Sequence, residues 1–322
     1  MRFRLTRPAS LPAQTESMMI STSVDIGSVR LSSPVMTASG TAGFGTELGA
    51  YVDLSSIGAV VTKSLAHYSW SGNPAPRVAG VRAGMINAVG LQGPGVERWM
   101  AEYLPALLDT GAAVVCSIWG RSVEEYRIAA DQLASAPAGV VAVEVNLSCP
   151  NLEGRGSIFA HDPQRSAEVI AATEGCARPR WAKLSPNTDR LVEVATAVVD
   201  AGAEALTLVN TLLGMAIDPT TLRPVLGNGG GGLSGPAIHP VAVRSIADVR
   251  AELSDIPIVG AGGVDSGWDA AELMAVGAHA IQVGTANFVD PRATARIQTE
   301  LLAEARRIGV NSLSELTGIA TR

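Results

Sequence analysis

Eight short apolar, β-rich runs, each followed by an alanine-rich stretch of helical composition, recur along the chain between residues 34 and 285. They are "PVMTAS" (34–39), "AVVTKS" (59–64), "AVVCSI" (113–118), "VAVEVNLS" (141–148), "RWAKLS" (180–185), "ALTLVN" (205–210), "IPIVGAG" (256–262) and "AIQVGT" (280–285). Strand-length runs alternating with helix-length segments are the rhythm of βα units, whose strands pair in parallel beneath a layer of helices. Eight such units close on themselves, so the expected fold class is α/β, a (β/α)8 TIM barrel. The helices carry their own punctuation. Ser122 with Glu125 gives a capping-box pattern, Asp162-Pro163 reads as a cap and a first-turn proline, and residues 188–203 and 267–278 close on Gly202 and Gly277. Ahead of the first run, "SVDIGSVRL" reads as two short strands around Ile26, Gly27 and Ser28, an N-terminal β-hairpin placed to plug the barrel bottom.

No linker long enough to separate a second domain interrupts the units, and a barrel of this size commonly stands as one domain. Residues 21–322 are therefore expected to form a single barrel domain, and residues 1–20 a disordered N-terminal extension. Met18 and Met19 are candidate natural starts, with an organellar presequence as the alternative reading. The arginines near the start have no apolar core behind them, so they do not read as a secretory signal.

A net charge of -6 argues against a general nucleic-acid binder, which needs clustered surplus lysine and arginine. No apolar run approaches the ~18 residues of a membrane span, and a cytoplasmic location is expected. The three cysteines, Cys116, Cys149 and Cys176, lie far apart without a CxxC pair, so no disulfide framework, metal site or intrinsic iron–sulfur cluster is expected.

In a TIM barrel the chemistry gathers at the C-terminal ends of the strands. Those ends are polar here: Ser39, Lys63, Ser117, Asn146 with Cys149 and Asn151, Lys183, Asn210 with Thr211, Gly262 with Gly263, and Gly284 with Thr285. Helix caps would account for one or two of these residues. They do not account for two lysines at the tips of apolar strands, since a buried ammonium needs a partner. The last two strands end in "GAGGVDSG" and "VGTANF", small residues ahead of helices, which is the usual phosphate position of the barrel. The run "GNGGGGLSGPAI" (227–238) adds a flexible segment but no dinucleotide fingerprint, so a mononucleotide fits better than NAD. Lys183 could then place a fixed positive charge beside an anionic reduced flavin.

In chain order, "VMTASG", "VVTKSL", "GNPAPRV", "GMINAVGLQGPG", "VNLSCPN", "AKLSPN", "LVNTLLGMAID", "GGLSGPAI", "GAGGV" and "QVGT" cover essentially all of residues 24–290, and with them the chain resembles a class 1 dihydroorotate dehydrogenase. It is most similar to the catalytic subunit of the NAD-linked branch, class 1B. The resemblance implies a flavoenzyme of pyrimidine biosynthesis that oxidises (S)-dihydroorotate to orotate with FMN in the barrel mouth. By position in the motifs, FMN would contact Ser39, Lys63, Ser64, Ser117, Asn146, Lys183, Val209, Gly235, Gly262, Gly263, Gly284 and Thr285. The substrate would be held by Lys63, by Asn87, Ala88, Val89, Gly90 and Leu91, and by Asn146, Asn151, Asn210 and Thr211. Asparagines suit a planar pyrimidine with ring N–H and C=O groups, and a lysine suits its carboxylate.

Cys149 would be the base that takes the C5 proton while hydride leaves C6 for flavin N5, a task that needs a thiol with a lowered pKa. Cys116 and Cys176 read as structural. The resemblance also implies a separate electron-transfer subunit carrying FAD and a [2Fe–2S] cluster, NAD as final acceptor, and a homodimeric core. The fumarate-linked soluble branch is the alternative. Ser117 and Trp119 depart from the usual pattern of NAD-linked relatives, as do Gly93 and the segment "LAHYSWSG" (65–72). Two further readings stay open: a dihydropyrimidine dehydrogenase-like FMN enzyme, and a barrel that binds a phosphate ligand without redox chemistry.

Overall fold

In the computed structural model of the protein, residues 20–148 and 159–321 are described. Val24–Ile26 (β1) and Val29–Leu31 (β2) form the expected antiparallel hairpin, with Val24, Ile26, Val29 and Leu31 all buried. These side chains share a core with Met36, Val61, Val115, Trp181 and Val259 from the strands that follow, so the hairpin closes the barrel at one end. Its turn is pinned from outside: the Ser28 N–H and hydroxyl both donate to Glu204 Oε2, at 3.1 and 2.6 Å.

The chain continues through β3 (Val35–Thr37), β4 (Val60–Val61), β5 (Val78–Val81), β6 (Gly84–Asn87), β7 (Val114–Ile118), β8 (Val140–Asn146) and β9 (Arg180–Lys183). It then forms β10 (Ala205–Leu208), β11 (Leu212–Gly214), β12 (Gly231–Ser234), β13 (Ile258–Ala261) and β14 (Ala280–Val283). The order β3-β14-β13-β10-β9-β8-β7-β4 makes one eight-stranded parallel sheet from the eight runs expected from sequence. Its end strands meet, with Thr37 N–H donating to Ala59 O (3.2 Å) and Gly58 N–H to Val35 O (2.7 Å). The (β/α)8 barrel is thereby closed.

The helices are α1 (Val96–Glu102), α2 (Leu104–Asp109), α3 (Val123–Gln132), α4 (Pro163–Ala172), α5 (Leu191–Asp200), α6 (His239–Glu252), α7 (Gly267–Ala275), α8 (Ala286–Val289) and α9 (Ala293–Ile308). Asp162 caps α4 as expected, accepting from the N–H groups of Gln164 and Arg165. At α3 the capping box is only half formed. Ser122 accepts from Glu125 N–H, but the Glu125 carboxylate takes the N–H of Arg121 and the Tyr68 hydroxyl instead of closing on Ser122. A complete box appears at α7, between Ser266 and Asp269. Among the described residues, no helix is long and apolar enough to cross a membrane.

A second antiparallel sheet, of four strands in the order β11-β12-β6-β5, is not foreseen from sequence. It corrects the reading of residues 227–238 as a flexible loop, because Gly231–Ser234 is a strand paired with both β6 and β11. The glycines serve close packing here. A Cβ on Gly231 would lie 2.3 Å from the Asn87 carbonyl oxygen, and one on Gly232 would lie 2.2 Å from the Thr211 hydroxyl. Only glycine leaves room for these close approaches, to a backbone carbonyl at Gly231 and to a side chain at Gly232.

Candidate active site

The C-terminal ends of the barrel strands and the antiparallel sheet enclose a cavity of about 1090 Å³. The strand-end residues Ser39, Lys63, Ser64, Asn146, Lys183, Val209, Asn210 and Thr211 all line it, as do Gly235, Gly262, Gly263, Gly284 and Thr285. So does the whole segment from Asn87 to Leu91. Ser117 does not. It still lies within β7, one layer too deep, fully buried behind Ser64 with the two hydroxyls 2.9 Å apart. Cys149 and Asn151 lie outside the described residues; Ser148, just before them, borders the cavity.

The polar lining is one connected chain. Ser39 and Ser64 hydroxyls stand 3.1 Å apart, Asn146 Nδ2 donates to Ser64 Oγ (3.2 Å), and Asn210 Nδ2 donates to Asn146 Oδ1 (3.3 Å). Each amide is thus oriented by its neighbour, since an asparagine that donates to one group must turn its oxygen to another. Asn87 is fixed from the sheet side, its amide donating to Gly232 O (3.3 Å). Asn187, from the "AKLSPN" motif, donates to Thr211 O (2.9 Å) and accepts from Leu213 N–H (2.8 Å), which holds the turn between β10 and β11.

Two ammonium groups face this cavity under different conditions. Lys63 has no carboxylate opposite it among the described residues, and burial together with the nearby Arg77 guanidinium holds its pKa below the usual lysine range. Lys183 is paired. Its Nζ donates to Gln282 Oε1 (2.9 Å) and lies 3.6 Å from Glu144 Oε1. Gln282 in turn donates to Glu144 Oε2 (2.6 Å), as does the Thr207 hydroxyl (3.2 Å). Glu144 and Gln282 are missed by a reading of strand ends, because both sit inside their strands. The available signal is a carboxylate and an amide within otherwise apolar buried runs, which demand partners.

At the opposite side the lining is glycine-rich backbone. Gly263 has φ +70°, and a Cβ there would come within 2.8 Å of the His239 nitrogen at the start of α6. Gly235 has φ +96°, and a Cβ would meet Gly84 Cα at 2.8 Å. Ligand cavities commonly run about 300–1,000 Å³, so this one has room for a mononucleotide and a small planar molecule together. Lys63 and Lys183 on the wall, the amide chain between them and the glycine-lined end match the chemistry of FMN, which carries a phosphate and a ring with both donors and acceptors.

The 87–91 segment is held by a clamp not anticipated from sequence. Trp70 Nε1 donates to Gly90 O (3.0 Å), Asn73 N–H donates to Val89 O (3.1 Å), and Asn73 Nδ2 donates to Ala88 O (3.2 Å). Arg121 stacks on the Trp70 ring at 3.9 Å from its centre and lies 5.6 Å from that of Trp119, so it bridges the departures in residues 65–72 and at Trp119. Cys116 and Cys176 are buried thiols whose pKa is pushed up by desolvation, in keeping with a packing role.

The family model described as Dihydroorotate dehydrogenase matches residues 21–304. The catalytic subunit of dihydroorotate dehydrogenase B (NAD(+)) from Geotalea uraniireducens is 45% identical over 297 residues, covering 92% of this chain and 97% of that protein. The corresponding subunit of Desulforudis audaxviator is 44% identical over 306 residues, covering 95% and 99%. Among solved structures, the dihydroorotate dehydrogenase of Eimeria tenella in complex with ferulenol superposes with a TM-score of 0.76 at 20% identity, covering 97% of this chain and 92% of that one. That likeness shows a shared fold.

Proposed function

The chain belongs to the dihydroorotate dehydrogenase family, and from that premise we propose that it oxidises (S)-dihydroorotate to orotate with bound FMN in de novo pyrimidine (UMP) biosynthesis. One observation carries the proposal: a Lys63 ammonium with no carboxylate opposite it among the described residues, in a cavity lined by Asn87, Asn146 and Asn210. A desolvated cation in that setting favours a carboxylate ligand, and the amides supply both kinds of hydrogen bond that a dihydropyrimidine ring requires. FMN, when bound, supplies the two-electron acceptor that no side chain provides.

The side chains bind, orient and move the proton. Lys63 takes the substrate carboxylate; Asn87 to Leu91, Asn146, Asn151, Asn210 and Thr211 hold the ring. Cys149 removes the proton from C5 as hydride departs from C6, so its thiolate ends the step as a thiol. Ser39, Lys63, Ser64, Asn146, Lys183, Val209 and Gly235 hold FMN, with Gly262, Gly263, Gly284 and Thr285 at its phosphate. Ser117 supports this set through Ser64.

The electrons pass to a separate subunit carrying FAD and a [2Fe–2S] cluster, and from it to NAD. The name "catalytic subunit" carried by relatives at about 45% identity supports such a partner. The chain acts in the cytoplasm as the dimeric core of that assembly. Anaerobic mixing of the FMN-loaded chain with dihydroorotate tests the half-reaction, and bleaching of the flavin absorbance is the expected result. Full FMN occupancy with no bleaching overturns it. Reoxidation of the bleached chain by fumarate, but not by NAD with a partner, would move the acceptor to the fumarate-linked type.

A further inference from the structure

We propose that Glu144 and Gln282 are positioning residues for Lys183, holding its ammonium at the cavity wall and cancelling its charge, and that they thereby set the reduction potential of bound FMN. The inference rests on the FMN reading above. The four groups involved come from four strands: Glu144 on β8, Lys183 on β9, Thr207 on β10 and Gln282 on β14. Lys183 and Gln282 border the cavity, while Glu144 lies fully buried beneath them.

The contacts close a ring. Gln282 must turn its carbonyl to Lys183 Nζ (2.9 Å), which leaves its NH2 for Glu144 Oε2 (2.6 Å). Glu144 Oε1 has no hydrogen bond and lies 3.6 Å from Nζ, so its interaction with the ammonium is purely one of charge. Burying a carboxylate is costly, and a neutral residue could hold Lys183 in place through Gln282 alone. What the carboxylate adds is a negative charge, and in a site shielded from water such charges are strongly felt. With Glu144 in place the Lys183 side of the wall is neutral overall. Without it that side carries a full positive charge and favours the more negative, reduced form of the flavin.

The test measures the midpoint potential of the FMN-loaded protein by equilibration against a reference redox dye. Glu144→Gln is expected to keep FMN bound and to raise the potential. Adding Lys183→Met to it makes a neutral pair, guards against misfolding of the single variant, and is expected to return the potential toward the wild-type value. A Glu144→Gln protein with full FMN and an unchanged or lowered potential would overturn the inference. So would a double variant whose potential falls far below wild type, since that would mean Lys183 acts as an uncompensated charge. A wild-type chain that takes up no FMN overturns both this inference and the functional reading, whereas FMN-loaded proteins with equal potentials overturn the inference alone.

Discussion

In the proposed reaction, Lys63 and Cys149 divide the substrate chemistry between charge and proton. Because burial and Arg77 lower the Lys63 pKa in the ligand-free protein, and a bound carboxylate would raise it again, binding an anion is coupled to holding a proton. The sign follows: orotate binds fully while Lys63 is protonated and weakens as pH rises through the depressed pKa of the empty site. Titration of orotate by flavin absorbance is expected to show Kd rising toward alkaline pH. Lys63→Met should weaken binding by about 10- to 100-fold, the worth of one charge-assisted hydrogen bond, and flatten that pH dependence. For Cys149→Ala, stopped-flow reduction by dihydroorotate is expected to slow by roughly 10²- to 10⁴-fold with FMN retained, the usual span for loss of a general base. Unchanged single-turnover reduction would remove Cys149 from that role. Lys63, Asn146, Lys183 and Asn210 are legible in sequence because each ends an apolar run, where a polar side chain has no packing reason to be. Glu144 and Gln282 are not, since what makes them intelligible is a partner more than thirty residues away on another strand.

At the level of elements, the barrel strands are legible and the antiparallel sheet is not, for a physical reason. Barrel strands are buried on both faces and read as continuous apolar runs. Strands β5, β6, β11 and β12 are short and contain glycine; β5 and β6 form a local hairpin, but the sheet is completed only across a long interval, as Gly232 with Asn87. Their composition is that of a loop, and only the tertiary pairing makes them strands. Trp70 and Asn73 hold the backbone carbonyls of Ala88 and Gly90, and the sheet carbonyl of Gly232 holds the Asn87 amide, so the segment proposed to hold the ring is set by its scaffold. Trp70→Phe keeps an aromatic face for Arg121 but removes the donor to Gly90 O. Losing one hydrogen bond of about 1 kcal/mol at this distance from the chemistry should raise the dihydroorotate KM severalfold with little change in kcat. A steady-state KM and kcat pair checks it; a fall in kcat alone would place Trp70 nearer the reacting atoms.

For the whole molecule, the cavity is the place where nearly every strand end meets, and a ligand there ties together segments that are far apart in sequence. Ser39 on the first barrel unit, Lys183 on the fifth and Thr285 on the last line one volume, and their backbones pack through glycines that carry no side chain to fill it. A cofactor bound across these ends is held only by the folded barrel, because the unfolded chain cannot bring them together. Binding of this kind stabilises the native state by RT ln(1 + [L]/Kd), about 2.7 kcal/mol when FMN is at a hundred times its Kd. For a domain of about 300 residues each kcal/mol moves the midpoint by about 1.5 °C, so FMN should raise Tm by roughly 4 °C. Orotate alone should give a smaller rise, because it touches fewer strand ends. Differential scanning fluorimetry of the FMN-stripped chain across an FMN titration measures the effect, with free riboflavin as the comparison that lacks the phosphate. If riboflavin shifts Tm as far as FMN at equal free concentration, the phosphate adds nothing to binding, and the glycine ends of β13 and β14 do not hold it.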